Sequence, residues 1–351
     1  MAENKPLTSL RGFAALIVVA YHVDIFYYHD GGMLHPVLKG GIACVDIFFI
    51  LSGFILAKVY WDLPFKGISA FFIKRIFRLY PLHIFVMLLL GVMVGVASLA
   101  HIPLNSKFPW GTYPAVLLLL QPFLYSEPVG WNTPSWSIGI ELACYALFPL
   151  GIAALREASQ RLCLIIFALL CVLEFFHLRH YANSIAGYGA LWRGMVGFFS
   201  GASLCAMLRP SPMPRKDIIS LLEWLGVAGV IASLIVDIPW GVALTGALLI
   251  GSLSFDAGVI AGFLRRQEFV WLGRISFSVY LTHFPVLMIL GKSIAPWRLP
   301  FPGAVADVIF IGISMATILV VSAFTYRYVE TPGRRAPEYL HQLHGGQSVP
   351  N

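Results

Sequence analysis

Eleven apolar runs follow one another along this chain, at roughly 7–28, 41–57, 79–100, 112–126, 135–155, 162–177, 186–208, 218–236, 240–262, 269–290 and 304–327. About 20 apolar residues suffice for one helical crossing of a bilayer. The composition agrees: 58% of the residues are hydrophobic and 12% charged, against about 25% charged in a soluble domain. The reading is an all-α polytopic membrane protein. The first run is not a cleaved signal, because Arg11, His22 and Asp24 interrupt it and no small-residue cleavage site follows. No soluble domain and no internal repeat breaks the series. One membrane domain over 7–330 is expected, then a short polar tail over 331–351 without structure.

The run at 112–126 is short and contains Pro114, Gln121 and Pro122. If it dips into the membrane and returns, ten spans remain and both termini are cytoplasmic. Eighteen of the 24 Lys and Arg residues then fall on the cytoplasmic side, and six elsewhere. If it crosses, every later loop changes sides and the bias collapses. The excess of Lys and Arg in cytoplasmic loops favours ten spans plus one re-entrant segment. Irregular backbone at membrane depth is tolerated only under cover of protein or beside a wet cavity.

The net charge of +7 needs no nucleic-acid partner, since cytoplasmic loops of membrane proteins collect Lys and Arg. Cys44, Cys144, Cys163, Cys171 and Cys205 are odd in number and lack any CxxC spacing. They read as buried free thiols, with no metal site. His177 and His180, in HLRH, read as an exposed loop between spans.

Ionisable groups inside the runs are the candidates for chemistry. Arg11 and His22 are eleven residues apart. That is about 20° from three full helical turns and roughly 16 Å along the axis, so both face one way. Counted from the outer ends of their spans, His22, Asp46, Glu141, Arg193 and His283 fall within one layer only several Å thick. Charges at mid-membrane cost about 2.5–3.5 kcal/mol each on insertion scales, so they pair or line a cavity. Helix-holding ion pairs and a proton-coupled transporter are the competing readings. Arg75 and Arg78, in KRIFRLYP, share one side of a helix start. They are either positive-inside anchors or a site for phosphate oxygens.

Six stretches, in order, resemble acyltransferase family 3, the integral membrane O-acyltransferases. They are LTSLRGFAALIVVAYH, GIACVDIFFILSGFIL, FFIKRIFRLYP, NTPSWSIGIELACYALFPL, LGRISFSVYLTHFPV and YRYVETP, spread from Leu7 to Pro332. The resemblance implies transfer of an acyl group, acetyl above all, from cytoplasmic acyl-CoA to a hydroxyl, commonly on a sugar. It implies no tightly bound cofactor and a bacterial inner membrane location. It maps the required Arg and His onto Arg11 and His22, the RxxR element onto Arg75 and Arg78, and the Trp-Ser motif with its acid onto Trp136, Ser137 and Glu141. Some members carry a fused esterase-like domain; this chain is expected to complete the acceptor step within the membrane domain.

The chemistry asks for a base to take the hydroxyl proton, and His is the commonest. His22 is the candidate, with Glu141 or Asp46 to orient its ring as in triad logic. Arg193, in WRGMVGFFSG, is expected to balance the carboxylates ahead of any oxyanion role. Tyr280 and His283, one turn apart, either pack the site or touch the acceptor. A polysaccharide is the favoured acceptor, and a small hydroxylated metabolite such as a macrolide the alternative. Oligomeric state is not legible.

The ten-span reading makes a prediction. In a cysteine-free background, single cysteines at Ser106 and Ser126 should both react with an impermeant thiol reagent from outside. Labelling of the Ser126 position only after permeabilisation would sink the re-entrant assignment.

Overall fold

A computed structural model describes residues 3–27, 35–101, 108–181, 185–209, 212–294, 299–300 and 303–343. Residues 102–107 of the expected external loop, and the tail beyond 343, lie outside them. The helices in chain order are α1 (Lys5–Tyr27), α2 (His35–Leu38), α3 (Cys44–Val59), α4 (Ile68–Leu99), α5 (Tyr113–Leu117), α6 (Gln121–Leu124), α7 (Trp136–Glu157) and α8 (Gln160–Tyr181). They continue as α9 (Gly187–Leu208), α10 (Lys216–Val236), α11 (Pro239–Leu253), α12 (Val259–Leu264), α13 (Gln267–Ile294), α14 (Gly303–Thr325) and α15 (Thr331–Leu343). Among the described residues, nine helices are long and apolar enough to cross a membrane, and α11 is a shorter apolar one.

In lipid, apolar side chains gain little by leaving one apolar phase for another, so helices associate through close packing of small residues. Two pairs do this at backbone contact. On α3 and α9, a Cβ at Gly53 would run into the Phe198 carbonyl, and one at Gly201 into the Ile50 carbonyl. On α1 and α13, Gly12 lies against the Gly273 amide, and Gly273 against the Thr8 carbonyl. These two pairs frame the centre, and α7 packs against α9 and α4.

The segment expected to be re-entrant is two short helices, α5 and α6, turned at Leu119 in the left-handed region (φ 60°). Leu119 is fully buried, and its carbonyl presses on Gly139 of α7. Two carbonyls near the turn find side-chain donors on α4. Tyr80 donates to Leu118 O at 3.1 Å, and the His83 ring lies 3.0 Å from Val116 O. This is the condition under which broken helices are tolerated at membrane depth.

Three expectations change. The run 240–262 is not one helix: it breaks after Leu253, where Asp256 has φ 54°. His177 and His180 are not in a loop but on the last turns of α8, with His177 stacked on Tyr181. The polar tail is helical to Leu343. A turn of π-helix, Tyr326–Glu330, carries α14 into α15, and Gly333 lets α15 lie directly on Pro81 of α4. An amphipathic helix docked on a neighbour needs no apolar run, so composition alone read it as unstructured.

Gly201→Ala should lower thermal stability in detergent, since forcing a methyl into a packed interface costs about 1–3 kcal/mol. Gly95→Ala, where nothing lies within 4 Å of the added carbon, should be neutral or stabilising by up to about 1 kcal/mol. Equal melting of the two variants would refute the backbone-contact account.

Candidate active site

A cavity of about 120 Å³ opens among α1, α3, α4, α7 and α13. Arg11, Arg75, Arg78, Ser137, Glu141 and Tyr280 are among its lining residues. Three guanidinium groups thus face one carboxylate. Helical period brings them together: Arg75 and Arg78 are one turn apart on α4, and Ser137 and Glu141 one turn apart on α7.

Glu141, Arg78 and Arg75 each have defined neighbours. Glu141 accepts hydrogen bonds from Ser52 Oγ at 2.5 Å and from the Tyr145 hydroxyl at 2.6 Å. Arg78 is ion-paired with Glu330, a residue only 1% exposed, and Ser278 Oγ donates to the other Glu330 oxygen at 2.7 Å. Arg75 donates to the Tyr60 hydroxyl at 3.3 Å and lies 5.5 Å from the Tyr60 ring centre and 5.9 Å from that of Tyr145. Its Nε has no hydrogen-bond partner. Of the RxxR pair, Arg75 is therefore held by aromatic faces and Arg78 by a carboxylate.

Asp46 and Arg193 are not beside His22. They form a two-pronged ion pair, Nε to Oδ1 at 2.6 Å and Nη2 to Oδ2 at 2.9 Å, with both side chains fully buried. The Trp136 ring lies 5.8 Å from the Arg193 guanidinium. The partner of Asp46 is thus Arg193, while the His22 Nδ1 contact goes to the Val18 carbonyl. Glu174 of α8, 2% exposed, stands nearby, and neither of its oxygens has a hydrogen-bond partner.

His22 is oriented by its own helix. Its Nδ1 lies 2.8 Å from the Val18 carbonyl. A carbonyl can only accept, so Nδ1 carries the hydrogen and Nε2 keeps the lone pair of a base. The ring faces His283 with centroids 4.8 Å apart. His283 is turned the same way, Nδ1 at 3.3 Å from Val279 O, and its Nε2 is without a partner. Tyr280 follows, its ring 5.9 Å from that of His283 and its hydroxyl 2.7 Å from Ser137 Oγ. Both hydroxyls reach the Pro134 carbonyl.

Arg11 lines the cavity, and His22 lies against His283 of α13. The expected single layer of five mutually neutralising groups does not hold. It resolves into the Asp46–Arg193 pair, the two histidines, and Glu141 in the cavity. His22 is not among the cavity-lining residues; Tyr280, which is, neighbours His283, and His283 neighbours His22. Sequence reasoning missed Ser52, Tyr145 and Glu330. Tyr145 was legible as the i+4 neighbour of Glu141, and Glu330 as the acid within YRYVETP.

The family model described as Acyltransferase domain (Acyl_transf_3) matches residues 5–327. Acyltransferase MdmB of Streptomyces mycarofaciens is 30% identical, over 94% of this chain and 93% of its own length. O-acetyltransferase OatA of Staphylococcus aureus (strain NCTC 8325 / PS 47) is 22% identical, and Peptidoglycan O-acetyltransferase OatA of Listeria monocytogenes is 23% identical. Each match covers 94% of this chain, which spans 57% and 55% of the lengths of those two relatives. No solved structure matches. The chain belongs to acyltransferase family 3 and is a multi-pass membrane acyltransferase.

Proposed function

We propose that this enzyme transfers an acetyl group from cytoplasmic acetyl-CoA to a hydroxyl of an extracytoplasmic or exported polysaccharide, in a bacterial inner membrane, with both termini cytoplasmic. The observation that carries the reading is the arginine-lined cavity leading, through Ser137 and Tyr280, towards a histidine whose Nε2 is fixed as a base. The printed name of the Listeria relative, a peptidoglycan O-acetyltransferase, supports a polysaccharide acceptor.

In this reading Arg75 and Arg11 meet the anionic donor, with the thioester pointing past Tyr280. The acceptor hydroxyl loses its proton to His22 Nε2 as its oxygen attacks the thioester carbonyl. The tetrahedral intermediate collapses, the C–S bond breaks, and the imidazolium returns the proton to the departing thiolate. A positioned base contributes about 10²–10⁴-fold to such a step. Arg78, held by Glu330, shapes the cavity mouth and adds positive potential there. Glu141, tied to Ser52 and Tyr145, fixes the α7 face that carries Ser137. Trp136 and Arg193 form the wall behind it.

Purified protein given labelled acetyl-CoA and soluble glycan fragments should form an alkali-labile ester. His22→Ala should abolish it while remaining monodisperse. An active His22→Ala enzyme would remove the base assignment. Ester formed with small hydroxylated metabolites but with no glycan would move the acceptor class.

Arg75→Ala should weaken acetyl-CoA binding roughly 10- to 150-fold, the equivalent of one charge-assisted hydrogen bond. Arg75→Lys should restore only part, because an ammonium lacks the planar fork. Unchanged donor affinity in both variants at matched ionic strength would refute the donor site.

A further inference from the structure

The re-entrant segment carries a second, smaller cavity of about 10 Å³, near the lower limit for one water-sized group. Gln121 and Asn132 line it, with Trp136 as a wall and the exposed Glu127 and Pro128 at its edge. Gln121 is 5% exposed and Asn132 fully buried. The carbonyl oxygens of both side chains lack a hydrogen-bond partner.

Their orientations follow from their neighbours. Ser135 Oγ gives its one proton to the Asn132 backbone carbonyl at 2.7 Å, so towards Gln121 it can only accept. The Gln121 atom 2.9 Å from it is therefore the amide nitrogen, which leaves Oε1 without a donor. Asn132 Nδ2 donates to the Leu281 carbonyl at 3.4 Å, which fixes Oδ1 in the same way. Two buried acceptors beside one cavity call for an O–H or N–H donor, because an unmade hydrogen bond in a dry site is costly.

We propose that Gln121 and Asn132 form an anchoring subsite for a non-reacting hydroxyl of a polyhydroxylated acceptor, a sugar, entering past Glu127 and Pro128. Its depth suits that role. Leu281, which holds Asn132, lies two residues before His283 on α13, about 3 Å along the axis, so the subsite sits at the level of the two histidines. The subsite deepens the acyl-transfer reading and rests on it for the identity of its ligand as the acceptor.

The test is saturation-transfer NMR on the purified full chain, with methyl β-N-acetylglucosaminide and 1-propanol as probes. The sugar should bind saturably and the monohydroxy alcohol should not. Gln121→Met and Asn132→Ala should each weaken sugar binding about tenfold or more. Thr133→Val changes the same cavity wall but spares both oxygens and the Ser135 contact that orients Gln121, and should bind as wild type. Equal sugar affinity in wild type, Gln121→Met and Asn132→Ala would mean a buried water only and overturn the proposal. So would a loss in Thr133→Val as large as in Gln121→Met, which would mark local misfolding. Ester formation from labelled acetyl-CoA, read on the same samples, separates the two ideas. Gln121-dependent sugar binding with no ester upholds the subsite and removes the transfer reading. Ester formation on the sugar that ignores Gln121 does the reverse.

Discussion

The buried ion pair between Asp46 of α3 and Arg193 of α9 sets the positions of the elements around it. Two charges removed from water repay their desolvation only with good geometry, and removing one partner of such a pair costs about 3–5 kcal/mol. Here the geometry is two parallel hydrogen bonds, and the glycines at Gly53 and Gly201 let the helices come close enough to make them. The pair also locates α7. Trp136 lies under the guanidinium, and the next turn of that helix presents Ser137 and Glu141 to the cavity. An arginine mapped as a site residue is thus one joint of the frame that carries the site.

Elsewhere the backbone supplies what charged partners supply in other enzymes. His22 draws its orientation from Val18 O and its ring contact from His283, with no carboxylate at its Nδ1. The turn at Leu119 between α5 and α6 has nearby carbonyls met by the Tyr80 and His83 side chains. Each solution keeps formal charge out of the interior. Two buried carboxylates are instead met by guanidinium groups, Asp46 by Arg193 and Glu330 by Arg78.

How much of this was legible depended on whether a property belongs to one helix or to several. The all-α architecture, the broken 112–126 segment and the shared face of Arg11 and His22 follow from length, proline placement and helical period within single segments. Depth was countable too, and it brought His22 and His283 to one level. Rotation of one helix about its axis relative to the others was not countable. Asp46 was therefore offered to His22 although it belongs to Arg193, and Arg78 was read without Glu330, 252 residues away. The α15 helix was illegible for another reason. It docks through Gly333 and its amphipathic pattern, and a search for apolar runs passes over both.

An enzyme whose two substrates approach from opposite faces of a membrane is one missing side chain away from being an ion leak. On the proposed reading, the donor cavity and the small cavity beside Gln121 open on opposite sides of the Trp136–Ser137 turn. Between them stand the Trp136 indole, which lines the small cavity, and the Tyr280 ring, which lines the donor cavity and shares a hydrogen bond with Ser137. On that reading, a side chain lost from this partition would open a path along which the membrane potential, worth about 2.3 kcal/mol per charge at 100 mV, could drive ions.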